Sequence, residues 1–164
     1  MRTGIVFGCF IPLHIGHIAM INRSLAENEA TIIGVCGYEN DRGRDFIPFN
    51  IRYELMKTLY HDKAKVVKID DEKLHLDGTF TLENWKRWCN ELFAQAKRNP
   101  NDSYMWYTGE QKYIDKIEKL YPRHGYTLLD RSVINISGTD IRSNVTNYAQ
   151  YIEPIFYEYL KKER

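Results

Sequence analysis

Short apolar runs alternate along the chain with longer segments in which apolar residues recur every three or four positions. The runs predict five buried strands, because parallel strands that are covered on both faces read as continuous apolar stretches. The predicted strands are 3–7, 30–38, 65–69, 104–107 and 126–129. A segment with helical spacing follows each of the first four runs, which is the order of repeated βαβ units.

The helical segments have distinct inward faces. The first helix is indicated by Ile18, Ile21 and Leu25, and the last by Ile152, Ile155, Phe156 and Tyr159 with Pro154 in its first turn. Between them lie the sets Ile51, Leu55 and Leu59, capped by Asn50; Trp85, Cys89, Leu92, Phe93 and Ala96; and Tyr113, Ile117 and Leu120. Strands that alternate with helices predict a Rossmann-like three-layer α/β/α sandwich with a five-stranded parallel sheet.

The composition and charge of the chain favour some classes of function and disfavour others. The chain has 43% hydrophobic residues, enough for the core of one compact domain over residues 1–164, although the charged end 161–164 could also precede a second domain. The 23 Lys and Arg nearly balance the 22 Asp and Glu, which disfavours a nucleic-acid partner. No apolar run approaches roughly 18 residues and no secretory signal is visible, so we expect a cytoplasmic protein without a membrane partner. The sequence does not fix the oligomeric state, and it is compatible with a homo-oligomer.

The segment Gly8-Cys9-Phe10-Ile11-Pro12-Leu13-His14-Ile15-Gly16-His17 joins the first strand to the first helix. In open α/β sheets, ligands bind at this carboxyl end of a strand. We expect Gly8 and Gly16 to admit a phosphate close to the backbone, and His14 and His17 to share one helical face where both address one anion. Two histidines at this spacing can also chelate zinc, but no third ligand follows at a fitting spacing, so no protein metal ligand is predicted.

The three cysteines are widely spaced and form no Cys-x-x-Cys pair, which argues against a disulfide framework or a structural zinc site. Cys36 and Cys89 are expected to be packing residues. Cys9 lies in the loop just described, where it is either a modifiable thiol or a small side chain beside a ligand.

A second anion-binding pattern lies at Ile136-Ser137-Gly138-Thr139-Asp140-Ile141-Arg142. The Ser137 and Thr139 hydroxyls can donate to phosphate oxygens, and Arg142 adds a planar fork of donors at the start of a helix. Two such half-sites predict a polyphosphate ligand and a common cavity.

Together the two segments resemble the nucleotidyltransferase superfamily, whose signatures are a His-x-Gly-His loop and an Ile-Ser-[Gly/Ser]-Thr-x-[Ile/Val]-Arg loop. Their form looks most like nicotinamide mononucleotide adenylyltransferases, including the adenylyltransferase half of bifunctional bacterial enzymes that also carry a ribosylnicotinamide kinase. The resemblance implies transfer of the adenylyl group of ATP to nicotinamide mononucleotide, giving NAD and pyrophosphate without a covalent intermediate, with Mg²⁺ held by substrate. Cys9 departs from the pattern, since relatives commonly have a basic residue there.

The resemblance also implies roles for individual residues. His14, His17 and Arg142 would be catalytic, with Ser137 and Thr139 on the β and γ phosphates. The other residues expected around ATP are Gly8, Cys9, Phe10, Gly16, Gly109 and Arg131. The expected contacts of the mononucleotide are Phe7, Asn40, Arg52 and Trp85.

Several of these assignments have a structural alternative. Trp85 either stacks on the pyridinium ring or belongs to the apolar face of its helix. Arg52 either grips the phosphate of the mononucleotide or pairs with Glu54 or solvent. Glu110 and Asp130 follow strands, so they either contact adenosine or serve as turn and capping residues.

Three other functions remain open. Pantetheine-phosphate adenylyltransferases usually have Thr-x-Gly-His and Ile-Ser-Ser-Thr, so His14 and Gly138 favour the nicotinamide branch. Cytidylyltransferases are less favoured because their second loop usually differs. A non-catalytic sensor of adenine nucleotides or NAD is supported by Cys9. The preference between nicotinamide and nicotinic acid mononucleotide is not fixed by the sequence.

Overall fold

Five parallel strands form one sheet in a computed structural model that describes residues 1–37, 46–74, 81–130 and 137–163. The strands are β1 (Arg2–Gly8), β2 (Ala30–Gly37), β3 (Lys65–Asp70), β4 (Ser103–Thr108) and β5 (Gly125–Leu128). The five predicted strands are confirmed within one residue at each described end; Tyr38, the predicted end of β2, lies outside the described residues.

Six helices and one 3₁₀ turn complete the described fold. The helices are α1 (Ile15–Glu27), α2 (Phe49–Tyr60), α3 (Leu82–Ala96), α4 (Gln111–Leu120), α5 (Gly138–Ser143) and α6 (Pro154–Glu163), and the 3₁₀ turn is Ala149–Tyr151. None of these helices is both long and apolar enough to cross a bilayer. Pro154 lies in the first turn of α6, as predicted, whereas Ile152, predicted to belong to the same helix, precedes it.

The sheet separates two hydrophobic clusters. Val6 and Ile33 point into one cluster together with residues of α1, α2, α5 and α6. Their neighbours Ile5 and Ile32 point into the other, together with residues of α3 and α4. This alternation follows from the two-residue period of a strand, and it confirms the three-layer sandwich.

The strand order, β3-β2-β1-β4-β5, reverses beside β1. The chain moves from β1 to β2 and β3 on one side, then crosses to β4 and β5 on the other. Such a switch point opens a crevice at the carboxyl ends of the two strands that meet there, here the central strand β1 and its neighbour β4. The loop at 8–17 begins at this position.

The prediction for α2 is wrong in two respects. Asn50 does not cap the helix, because α2 begins at Phe49 and the Asn50 Oδ1 accepts a hydrogen bond from Lys68 Nζ at 3.0 Å. The inward face is also displaced by one position: its buried residues are Phe49, Arg52, Met56 and Tyr60, whereas Ile51, Leu55 and Leu59 are half-buried beside it. The prediction assigned apolar residues to the inward face, and it therefore missed a face that contains the buried Arg52.

Candidate active site

The two histidines of the first motif form the N-terminal cap of α1. His14 is the N-cap residue, and its Nδ1 accepts a hydrogen bond from Gly16 N–H at 3.1 Å. In return, His17 Nδ1 accepts one from His14 N–H at 3.4 Å. The result is a capping box built from two imidazoles. Because Nδ1 is the acceptor in both rings, the neutral form of each ring carries its proton on Nε2.

The cap, rather than a shared helical face, brings these rings together. His14 precedes the helix, which corrects the prediction that both histidines lie on one face of it. The rings are stacked, with centroids 3.9 Å apart and planes inclined by 27°. Both Nε2–H donors therefore belong to one compact unit at the carboxyl end of β1.

Gly16 and Phe10 shape this unit. A Cβ atom at Gly16 would lie 2.9 Å from His14 Cε1, so glycine is needed to accommodate the ring, a reason different from the predicted approach of a phosphate. Phe10 is buried, and its ring packs edge-on against His17 with centroids 5.0 Å apart. Its φ of 54° lies in the left-handed region that non-glycine residues seldom adopt. At Gly8, a Cβ would make only ordinary contact with Phe10.

The second motif meets the first, as the sequence predicted. Arg142 Nη1 donates to the carbonyl of Ile11 at 2.7 Å, and Arg142 Nη2 donates to Thr139 Oγ1 at 3.3 Å. Residues separated by 131 positions are thus in direct contact. The guanidinium and the two imidazoles lie around the same loop.

Gly138 and Ser137 explain how Arg142 reaches the loop. A Cβ at Gly138 would lie 2.7 Å from Arg142 Nη1, so the guanidinium crosses directly over this glycine. Ser137 caps α5: its Oγ accepts from Asp140 N–H at 3.1 Å. A hydroxyl that accepts a bond still has its own proton to donate, so Ser137 remains suited to a phosphate oxygen.

Arg52 is fully buried and holds backbone carbonyls from three segments. Its Nε donates to Ile47 O at 3.0 Å, and its Nη1 donates to Cys9 O at 2.8 Å and to Cys36 O at 3.4 Å. The alternative that Arg52 faces solvent is therefore wrong. Its contact with a mononucleotide phosphate stays a prediction, whereas its role in fixing the backbone beside the loop is visible.

Trp85 and Phe7 belong to an aromatic cluster on the face of the sheet that α3 and α4 cover. The Phe7 ring centroid lies 6.1 Å from Trp85, 5.1 Å from Trp88 and 5.7 Å from Tyr113. Trp85 is only 7% exposed. This placement favours the interpretation of Trp85 as a core residue of α3; stacking on a pyridinium ring stays a prediction.

Burial affects the acidity of the cysteines of β2 and α3. Burial raises the pKa of the Cys36 thiol well above its usual value, and the nearby Cys9 and Asp71 add to the shift. Burial alone raises the pKa of Cys89. Both fit the predicted packing roles. Cys9 is half-buried, and its carbonyl is held by Arg52.

The remaining predicted residues have different outcomes. Gly109 directly follows β4, at the predicted edge of the sheet. Glu110 is the N-cap residue of α4, in line with the capping alternative, although its side chain makes no capping hydrogen bond. Asp130 is exposed. Asn40 and Arg131 lie outside the described residues.

Sequence reasoning missed the contact of the C-terminal segment with the first motif. Glu153 N–H donates to Leu13 O at 3.0 Å, and Ile152 pairs with His14 in an isolated antiparallel bridge. Pro154, predicted in the first turn of α6, is the local signal for the start of this helix. No local signal identified the loop at Leu13 as the partner of this segment.

The described site is a set of hydrogen-bond donors. It combines imidazole Nε2–H groups, a guanidinium and two hydroxyls, which suit a polyanion. Across the described ranges, no group of three or more His, Cys, Asp or Glu side chains could hold a metal ion. These donors are therefore candidates for contacting phosphate oxygens.

The comparison with protein families identifies the class of protein. The cytidylyltransferase-like family profile matches residues 5–144, a span that includes both motifs. The chain belongs to this family of nucleotidyltransferases.

Two individual relatives are similar to this chain over most of its length. The chain is 26% identical over 163 residues to the trifunctional NAD biosynthesis/regulator protein NadR of Salmonella typhimurium, covering 92% of this chain and 38% of the relative. A crystal structure of NadR in complex with NAD and AMP-PNP superposes with a TM-score of 0.78 at 29% identity, covering 94% of this chain and 45% of that one. The chain thus spans less than half the length of these relatives.

Another curated relative has a different acceptor in its name. The phosphopantetheine adenylyltransferase of Bacteroides thetaiotaomicron is 31% identical over 83 residues, which cover 51% of this chain and 54% of the relative. NadR is named for NAD biosynthesis and this relative for adenylyl transfer to phosphopantetheine, so the comparisons leave the acceptor substrate unresolved.

Proposed function

We propose that this chain transfers the adenylyl group of ATP to nicotinamide mononucleotide, with NAD and pyrophosphate as products. The observation that carries the proposal is the 2.7 Å contact between Arg142 Nη1 and Ile11 O, since it joins the second motif to the loop that bears both imidazoles. The similarity to NadR over nearly the whole chain supports the nicotinamide acceptor.

The proposed adenylyl transfer depends on the positioning of the reactants rather than on a strong base. The attacking phosphate is already an anion, so the barrier lies in aligning two polyanions and stabilising charge on the phosphate oxygens. In this proposal His14 and His17 donate from Nε2 near the reacting phosphorus. Ser137 and Thr139 bind the β and γ phosphates, and Arg142 stabilises the departing pyrophosphate.

A magnesium ion fits this site as part of the substrate. The donor set offers N–H and O–H groups, and the described residues provide no cluster of metal ligands, so phosphates and water would hold the ion. When bound, Mg²⁺ neutralises phosphate charge and helps to orient the triphosphate.

The acceptor can be decided by running three candidates in parallel. The protein is incubated with ATP, Mg²⁺ and either nicotinamide mononucleotide, nicotinic acid mononucleotide or phosphopantetheine, and pyrophosphate release is measured. We expect the highest kcat/KM with nicotinamide mononucleotide, with NAD as the product. A higher kcat/KM with phosphopantetheine would instead support pantetheine-phosphate adenylyltransferase activity, the function that the Bacteroides relative favours.

Substitution of His17 tests the assignment of the site. His17→Ala should still bind ATP in calorimetry but turn over at least ~10²-fold more slowly, because one donor to the transition state is lost. His61→Ala is the matched control, since His61 is exposed at the end of α2. Unchanged turnover in His17→Ala would remove the assignment. Binding of ATP or NAD by the wild type without pyrophosphate release would favour the sensor function.

A further inference from the structure

The segment that precedes α6 runs antiparallel to the loop that bears His14. Ile152 forms an antiparallel bridge with His14, and Glu153 N–H donates to Leu13 O at 3.0 Å. These are backbone contacts between two segments that lie far apart in the sequence. They place the backbone of Glu153 beside the peptide group that joins Leu13 to His14.

One peptide group connects Glu153 to His17. The carbonyl of Leu13 and the N–H of His14 belong to the same planar amide. Its oxygen accepts from Glu153 N–H, and its N–H donates to His17 Nδ1 at 3.4 Å. Hydrogen bonds linked in this way polarise one another and share one orientation. A rotation of the Leu13–His14 peptide would therefore move the His17 ring.

The Glu153 side chain anchors this arrangement. Its Oε2 accepts from Ile155 N–H at 2.8 Å and from Phe156 N–H at 3.3 Å, which caps the first turn of α6. Phe156 is fully buried, so the turn is fixed to the core. The same carboxylate lies near Tyr60 of α2: burial raises the pKa of Tyr60, and the Glu153 charge adds to it.

We propose that Glu153 is a positioning residue for the active site, one that orients the Leu13–His14 peptide and so holds His17 in its Nε2–H form. Glu153 does so through its backbone N–H, and its carboxylate keeps that N–H in place. Only the kinetic test of this inference rests on the proposed function.

The kinetic test compares two glutamates on or beside α6. Glu153→Ala should lower kcat at saturating substrates by about tenfold, because small misplacements of a reacting group are costly, and leave KM for the mononucleotide unchanged. Glu153→Asp should restore most of the loss, since aspartate is a good capping residue. Glu158→Ala is the control: Glu158 is exposed and pairs with Lys161 at 2.7 Å, so its removal should leave kcat unchanged. All variants are assayed well below their melting temperatures.

The decisive readout is the tautomer of His17, measured by ¹⁵N NMR of the histidine rings without substrate. The wild type should show the Nε2–H form, and Glu153→Ala a mixture of the two tautomers. An unchanged tautomer in Glu153→Ala overturns the inference even if kcat falls, because loss of helix stability alone would then explain the kinetics. An equal loss of kcat in Glu158→Ala overturns it as well. If the wild type transfers no adenylyl group, the proposed function fails, while the NMR comparison still decides the role of Glu153.

Discussion

Glycine at positions 16 and 138 makes room for a functional side chain. A Cβ at Gly16 would press on the His14 ring, and a Cβ at Gly138 would press on the Arg142 guanidinium. Each glycine belongs to one of the two motifs, and each neighbouring side chain is a candidate phosphate donor. At the scale of single residues, the motifs therefore encode the space that their own donors occupy as well as the donors themselves.

Gly138→Ala should separate activity from stability. The new Cβ meets the far end of the Arg142 side chain, which must shift and so weaken its bonds to Ile11 and Thr139. The higher helix propensity of alanine offsets this loss of stability by up to about 1 kcal/mol. We expect kcat/KM for ATP to fall about tenfold, the size of effect that loss of one bond to a charged group produces, while the melting temperature changes little. Steady-state kinetics and thermal unfolding check this.

Ser143→Ala provides the control for the Gly138 variant. Ser143 lies on the same helix and donates to Asp140 O, away from the guanidinium contact. It should retain wild-type kcat/KM. Equal losses in the two variants would show that α5 as a whole, rather than the position of Arg142, limits activity.

At the scale of elements, α2 is tied to two strand ends by a buried charge. Arg52 connects the first turn of the helix to Cys9 after β1 and to Cys36 near the end of β2. A buried guanidinium is tolerated because carbonyl oxygens replace the water that it loses. The sequence predicted the helix from its apolar spacing but displaced its inward face, because an arginine normally marks the outside.

Arg52→Met should destabilise the fold strongly. Methionine fills similar volume, but it leaves the carbonyls of Ile47, Cys9 and Cys36 without this donor. Since an unsatisfied buried polar group costs about 1–3 kcal/mol, we expect the free energy of unfolding in urea to fall by about 2 kcal/mol or more.

Arg23→Ala is the comparison for Arg52→Met. Arg23 is an exposed residue of α1 that pairs with Glu27 at 3.3 Å. An exposed pair of this kind contributes little, so the change should stay within about 0.5 kcal/mol. A similar loss in both variants would contradict the role given to the buried guanidinium.

At the scale of the whole molecule, the five-stranded sheet is held by contacts that cross between its elements. His124, which precedes β5, accepts from Trp106 Nε1 of β4 at 3.0 Å, and its own Nε2 donates to the carbonyl of Pro100 at 2.8 Å. A neutral ring makes both bonds. A protonated ring would present a second N–H to that of Trp106.

Stability should therefore fall in mild acid. Burial lowers the pKa of His124 below its usual value of about 6.5, although the bond to Pro100 opposes the shift. The unfolded chain then binds the proton more readily, so this contribution is complete above about pH 6.5 and is lost as the pH falls through the lowered pKa. Urea unfolding between pH 7.5 and pH 5 should show a smaller pH dependence in His124→Gln than in the wild type.

The exposed His61 serves as the reference for this pH dependence. His61→Gln should follow the wild-type curve, because its ring lies at the surface near the end of α2. If His124→Gln and the wild type lose stability in parallel, other groups cause the acid sensitivity.

Much of the fold and part of the site could be read from the sequence. The strand positions were accurate to one residue, since a buried parallel strand needs a continuous apolar run and little else. The two motifs were recognisable because they resemble family signatures that consist of particular residue types at short spacing. The histidine capping box was not foreseen, because the pattern does not show which nitrogen of each ring meets the backbone.

The sequence by itself determined the alternation of strands and helices and the three-layer class of fold, because these depend on local periodicity. It also supplied the candidate phosphate donors, which stay a prediction. Only the tertiary structure decided that Arg142 reaches Ile11, that Arg52 faces inward and that Glu153 supports the peptide before His14. Such contacts depend on strand order and on how the helices pack across the sheet. Residues far apart in the chain carry no local signal of the partner that packing gives them.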